Sequence, residues 1–234
     1  MLKILFIGDI SGRIGRKTDA KILPKLKKKL RPDLVIANAD NIAHGVGVTP
    51  ETLKEIFAAG VDWATNGDHA FDREKQIKAC YENNLPVLRP ANYSSSAPGN
   101  GYAVVKLGKH KILLINLIGR VFMHMDYDCP FKKLDEILKN SAAENFSAIV
   151  IDIHAEATAE KIALAHYADE RVSAVMGTHT HVITADAKIT EKGMAYITDV
   201  GMAGFSDGCI GIEKEGALNT FLTQIKREHI IPET

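Results

Sequence analysis

Cysteine is scarce in this sequence: Cys80, Cys129 and Cys209 are the only three, and no two form a C-x-x-C pair. An odd, scattered set argues against a disulfide framework and a thiolate zinc site, and fits a reducing cytoplasm. An excess of either charge is also lacking. The 29 Lys and Arg residues balance 29 Asp and Glu, so no bulk field recruits a membrane surface or a nucleic acid. No apolar run approaches the ~20 residues of a membrane span. The opening MLKILFIGD is too short for a signal peptide and has no small-residue cleavage site. Low-complexity tracts, internal repeats and composition shifts are missing too, so one domain over residues 1–234 is expected.

What is present is alternation of short apolar runs with longer amphipathic ones. Strands are expected at 2–7, 33–38, 61–66, 86–88, 111–116, 148–153 and 173–176. Helices are expected from the Gly-rich turn at 8–15 through Lys29, and at 73–83, 131–143 and 157–168. Another starts near Thr49, whose hydroxyl caps it while Pro50 fills the first turn. Past Ile183 the pattern reads as short strands and turns, including the segment ALNTFLTQIKRE. The expected class is α/β, a sheet covered on both faces by helices with antiparallel strands added at the end. Basic residues from Arg13 to Arg31 read as the solvated face of the first helix.

The polar residues that stand out fall just after strand ends, where open α/β sheets place their ligand sites. They are Gly8-Asp9, Asn38-Ala39-Asp40-Asn41, Asn66-Gly67-Asp68-His69, Asp152-Ile153-His154 and Gly177-Thr178-His179-Thr180-His181. Singly, each has a plain structural reading: Asp9 as a helix cap, Asp40 and Asn41 as an Asx-turn, His154 as a core histidine. His179 and His181 are sharper, because alternate residues of an extended stretch point to one side, as two imidazoles on a metal must. Together the five segments supply carboxylate, amide and imidazole donors, a set suited to Mn, Fe or Zn. Two such ions ~3.5–4 Å apart clamp a phosphoryl group and activate a shared water.

In this order, G-D at 8–9, N-x-D-N at 38–41, G-x-H at 67–69, His154 and GTHTH at 177–181 resemble the metal-binding blocks of calcineurin-like metallophosphoesterases. RPANY (89–93), HAEAT (154–158), SAVMGTHTHV (173–182), TAD (184–186) and AYITDVGMAG (195–204) narrow the resemblance to the YmdB-type 2′,3′-cyclic nucleotide phosphodiesterase family, from Lys3 to about Gly211. The resemblance implies an αββα sandwich and a metal-dependent phosphoric ester hydrolase acting on a small phosphodiester such as a cyclic nucleotide. It implies two divalent ions, Fe or Mn with Zn as another candidate. Asp9, Asn41 and His181 would hold the first, Asp40 would bridge, and Asp68, His154 and His179 would hold the second. A metal-bridging hydroxide would attack phosphorus, and His69 would be the general acid at the leaving oxygen. Asp40 stands where the family usually has Glu, and Asp68 where it has Asn; the second change adds negative charge to the site. Family members also extend further at the C-terminus.

Other readings remain on the residues. Asp68 keeps open a metal-binding regulatory or scaffold protein with weak or no catalysis, and a phosphatase acting on another phosphoester is the third reading. A P-loop fails because Arg16 breaks the Gly-Lys-Ser/Thr order, and Gly8, Gly12 and Gly15 do not match G-x-G-x-x-G. Those glycines let the chain turn beside Asp9 and offer N–H groups to a phosphate. Arg120 reads equally as a substrate residue or an ion-pair partner, and His44 as a substrate contact or a turn residue. His110, His166 and His229 read as surface residues. No membrane and no sequence-specific nucleic acid is expected as a partner; homo-oligomerisation through an exposed edge of the tail strands is.

Overall fold

Strand periodicity sorts the apolar residues onto two sheets that lie face to face. The computed structural model describes residues 2–225 and 230–232. Its first part runs β1 (Ile4–Ile7), β2 (Asp9–Ile10), α1 (Gly12–Leu30), β3 (Leu34–Asn38), α2 (Pro50–Ala59), β4 (Trp63–Thr65) and α3 (Glu74–Glu82). There follow β5 (Tyr102–Leu107), β6 (His110–Ile118), α4 (Pro130–Asn140), β7 (Ala148–His154), α5 (Thr158–Ala168) and β8 (Ala174–Thr178). The last elements are β9 (Lys188–Ile189), β10 (Ala195–Ile197), β11 (Met202–Ala203) and α6 (Lys214–Thr223). The smaller sheet has the order β1-β3-β4, all parallel. The larger has the order β5-β6-β7-β8-β10-β9, parallel through its middle and antiparallel at both edges. β2 and β11 form a separate parallel pair.

Side chains two apart on a strand share a face, and each face has its own partner. Val35 and Ala37 of β3 pack with Ile56 of α2 and Ile77 of α3, whereas Leu34 and Ile36 meet Ile112 and Leu114 of β6 and Val150 of β7. Leu113, Ile115, Ile151 and Ile153 turn the other way, onto Leu134 and Ile137 of α4 and Leu164 of α5. Each sheet is therefore covered by helices on one face and by the other sheet on its second face, the αββα sandwich. The expectation of helices on both faces of one sheet is corrected. A continuous apolar strand reports burial on two sides but not what covers each side.

Two further differences have identifiable causes. β5 was not expected, because its run is bracketed by glycines and reads as loop; it pairs antiparallel with β6 through the turn at Gly108. The segment expected as a final strand is instead α6, with only Ala217 buried and Phe221 and Leu222 exposed. Apolar residues without a buried face carry no usable period. The end of that segment, 226–228, and His229 lie outside the described residues. Residues 86–88 contribute only an isolated bridge, Ala64 with Val87. The cap of α2 is as expected: Thr52 N–H donates to Thr49 Oγ1 at 3.2 Å, and Thr49 N–H to Thr52 Oγ1 at 3.0 Å. The basic face of α1 is solvated except at Arg16. That side chain is buried, donates to Glu55 at 2.6 Å and to the Ile42 carbonyl, and so docks α1 on α2.

Candidate metal centre

The inner face of the sandwich turns polar at the C-terminal ends of its strands. On β7 the face that carries Val150 continues with Asp152 and His154, and on β3 the face of Ile36 continues with Asn38. Asn38, Asp152 and His154 are buried, as is Asn116 on the same face of β6 as Leu114. They must therefore find partners inside the protein. Asp152 accepts from Thr65 Oγ1 at 2.5 Å, Asn38 Nδ2 at 3.0 Å and Thr178 Oγ1 at 2.7 Å. Thr178 Oγ1 also lies 3.0 Å from His154 Nδ1, which fixes the ring and turns Nε2 outward to the centre. This supporting role of Asp152 and Thr178 was not assigned from the sequence, although both flank named residues.

Around His154 the structure brings together the segments named from the sequence. His154 Nε2 lies 3.0 Å from Asp68 Oδ1, 3.0 Å from His179 Nδ1 and 3.5 Å from Asp40 Oδ2. His179 Nδ1 is 3.3 Å from Asp68 Oδ1. A second group converges beside it: His181 Nε2 lies 3.2 Å from Asn41 Oδ1 and 3.8 Å from Asp9 Oδ1. The two oxygens of Asp40 accept from Gly67 N–H at 2.6 Å and His69 N–H at 3.1 Å. His179 and His181 thus face different donor groups rather than one. They do so because the loop is not extended: both have positive φ, 103° and 63°. Gly67 is required by proximity, since a Cβ there would lie 2.1 Å from the His154 ring.

The donor set fits divalent cations. Asp68, His154 and His179 form one group of donor atoms able to hold an ion, and Asp40, Asp68 and His69 form another. Two imidazole nitrogens and a carboxylate oxygen at 3.0–3.3 Å crowd lone pairs that hydrogen atoms alone cannot all satisfy. Donors about 3.0–3.4 Å apart match the polyhedron edges around an ion with bonds of ~2.1 Å. Asp9 Oδ1 is buried with no hydrogen-bond partner, an orphan a cation would satisfy.

The electrostatics have the same cause. Burial raises the Asp40 pKa, partly offset by the His154 charge. Burial also opposes ionisation of Asp68, but its hydrogen bonds to His154 and His179 hold its pKa far below the usual carboxylate range. For His154, burial opposes the charge; the Asp68 hydrogen bond and the charges of Asp40 and Asp9 outweigh it, and the pKa rises to about 10. Burial lifts Asp152 to about 6. The cluster is thus an anionic hole that favours positive charge at its centre.

His69 stands at the rim. Its Nδ1 lies 2.8 Å from Asp72 Oδ2, leaving Nε2 3.9 Å from Asp68 Oδ2. Burial disfavours its charged form, but the negative charges of Asp40 and Asp68 and the Asp72 contact raise its pKa. Sequence reasoning missed Asp72, three residues beyond His69. It also missed Glu156, whose carboxylate lies 3.2 Å from His179 Nε2 and orients that ring. His44 lines the adjoining cleft of about 440 Å³ with Ser11, Thr180 and the apolar Val46, Ile212 and Ile231. The Gly-rich turn does not keep its amides free for a phosphate as expected. Ser11, Gly12 and Gly15 N–H groups donate to Ala203, Asn41 and Ser11 carbonyls. Arg120 is exposed, and its backbone N–H rather than its guanidinium binds Glu160, at 2.9 Å. His166 is exposed, and His110 contacts Ser147 at 2.9 Å. The RPANY segment is architectural: Arg89 donates to three carbonyls of its own loop, and Asn92 Nδ2 donates to Ile118 and Asp128. No helix among the described residues is long and apolar enough to cross a membrane.

This sandwich recurs in solved structures. A 5′-nucleotidase precursor from Thermus thermophilus superposes with a TM-score of 0.63 at 12% identity, over 86% of this chain and 49% of that one. A novel phosphatase from Mycoplasma pneumoniae reaches 0.92 at 34% identity, over 99% of this chain and 83% of that one. The fold is that of the calcineurin-like phosphoesterases. The 2′,3′-cyclic-nucleotide 2′-phosphodiesterase of Bacillus subtilis (strain 168) is 44% identical over 96% of this chain and 84% of its own length. The chain belongs to the YmdB-like protein family, which it matches over residues 5–233.

Proposed function

We propose that the chain is a two-metal phosphodiesterase that hydrolyses 2′,3′-cyclic nucleotides. The observation that carries this reading is the convergence of donors from five segments on one anionic, partly unsatisfied centre beside a cleft. The activity named for the Bacillus subtilis relative supplies the substrate class. Asp9, Asn41 and His181 would hold one cation, Asp68, His154 and His179 would hold the other, and Asp40 would serve both. Bound there, two divalent ions, iron or manganese with zinc also suited to these donors, supply positive charge for the phosphoryl oxygens and activate a water.

The chain's own residues do the rest. Asp152, Thr178 and Glu156 fix the imidazoles so that their donor atoms are aimed before substrate arrives. The cleft seats the nucleotide. As water's oxygen bonds to phosphorus, the bond from phosphorus to one ribose oxygen breaks, and that oxygen needs a proton. His69 Nε2 supplies it, held in place by Asp72 at Nδ1. A reducing cytoplasm is the compartment this reading takes, and it suits the free thiols Cys80, Cys129 and Cys209.

His69 is the discriminating residue, because its donor atoms also lie within reach of Asp40 and Asp68. His69→Ala is expected to lower turnover of 2′,3′-cyclic AMP by about 10²–10⁴ while metal content per chain is unchanged. Loss of metal from the variant would make His69 a ligand and leave the leaving oxygen without its acid.

A further inference from the structure

Behind the histidine loop lies an ion pair that the reaction does not touch. Lys161 of α5 and Asp199 are both fully buried, and Lys161 Nζ donates to Asp199 Oδ2 at 2.8 Å. Two desolvated charges persist in an interior only with further hydrogen bonds around them. Asp199 has them. Its Oδ2 accepts from the Thr180 backbone N–H at 3.0 Å and the Thr180 hydroxyl at 2.8 Å, and its Oδ1 from Gly201 N–H at 2.8 Å. Thr180 is the residue between His179 and His181. Their positive φ values belong to a region that residues with a β-carbon rarely adopt. Such a conformation persists where surrounding contacts over-determine it. The far side of the same knot reaches another site residue, because the Gly201 carbonyl accepts from Asp9 N–H at 3.1 Å.

We propose that Lys161 and Asp199 form a positioning clamp. Asp199 grips Thr180 and so holds the backbones of His179 and His181 in the left-handed conformation that aims both rings at the centre. Lys161 Nζ donates to the same Asp199 oxygen that Thr180 uses and so pins that carboxylate in place from α5. Its stem is fitted closely: a Cβ at Gly177 would lie 3.0 Å from Lys161 Cδ and 1.7 Å from the Thr198 carbonyl oxygen. Neither residue touches substrate; both act through the two histidines. The benefit to metal binding rests on the proposed function, whereas the grip on the loop is measurable without metal.

Amide hydrogen exchange on the metal-free full chain tests it, comparing the parent with Lys161→Met/Asp199→Ala and with Thr180→Val. The double variant removes both charges, so neither is stranded unpaired. The single variant leaves the pair intact and removes one hydroxyl. Exchange across 178–182 is expected to speed up about tenfold in the double variant and by a smaller factor in Thr180→Val, with β6 and β7 unchanged. Mn²⁺ affinity of the double variant is expected to fall about 10–100-fold. Parent-like protection of 178–182 in a double variant that keeps β6 and β7 protected overturns the clamp. If the double variant fails to fold, unchanged exchange in Thr180→Val overturns it instead. A parent that takes up no Mn²⁺ overturns the metal reading, and the exchange comparison still decides the clamp.

Discussion

Single residues carry the chemistry here because their neighbours leave them so little freedom. Gly67 shows this most directly: the His154 ring occupies the space a β-carbon would need, and that ring is buried on its other sides. Gly67→Ala must therefore displace His154 rather than be absorbed at the surface. A shift of about 1 Å at a reacting centre costs on the order of 10²-fold in rate, so turnover should fall by about that factor. Steady-state kinetics on the folded variant check it, and activity within about twofold of the parent would show that the ring position is not critical. The eight residues named from the sequence do come together within one centre. They were legible because donors of the right chemistry recur after strand ends in a recognisable order. The residues that orient them were not. Asp72, Glu156 and Thr178 are ordinary polar residues in sequence and gain meaning only from where His69, His179 and His154 turn their second nitrogens. The H-T-H spacing suggested two imidazoles for one ion, and the left-handed backbone separates them.

At the scale of elements, the sequence pattern predicts best where burial is extensive. α2 was legible to its first residue because Thr49 and Pro50 encode a cap, and β3 and β7 because their apolar runs end at polar residues of the centre. α6 was misread because it buries almost nothing. α1 shows a quieter consequence of burial. Asp19 is 7% exposed on its inner face, Oδ2 has no hydrogen-bond partner, and desolvation pushes the carboxyl up to about 7. Its folded pKa lies above its unfolded value. The protonated form is therefore the one the fold favours, and its contribution is present at low pH and lost as pH rises through about 7. Asp19→Asn keeps the shape and removes the titration. The stability of the variant relative to the parent should improve by about 2–3 kcal/mol between pH 5 and pH 8. Urea unfolding at the two pH values measures this, and a gap that does not change with pH would show that the carboxyl is solvated.

For the molecule as a whole, the two sheets divide the work. Helix-facing residues on each sheet make separate apolar cores, and the inter-sheet face is apolar at one end and polar at the other. The polar end can exist only because its groups satisfy one another, apart from the donors left for cations. The sandwich is thus a scaffold whose polar end gathers donors able to hold divalent cations, and the family relationship and the geometry point to the same chemistry. The most direct test joins metal and activity in one sample. The chain is purified without added metal, Mn, Fe and Zn are quantified, and hydrolysis of 2′,3′-cyclic AMP is assayed on the same material. The account predicts about two ions per chain together with turnover. A folded protein that holds no metal, even after reconstitution with Mn or Fe, would contradict it.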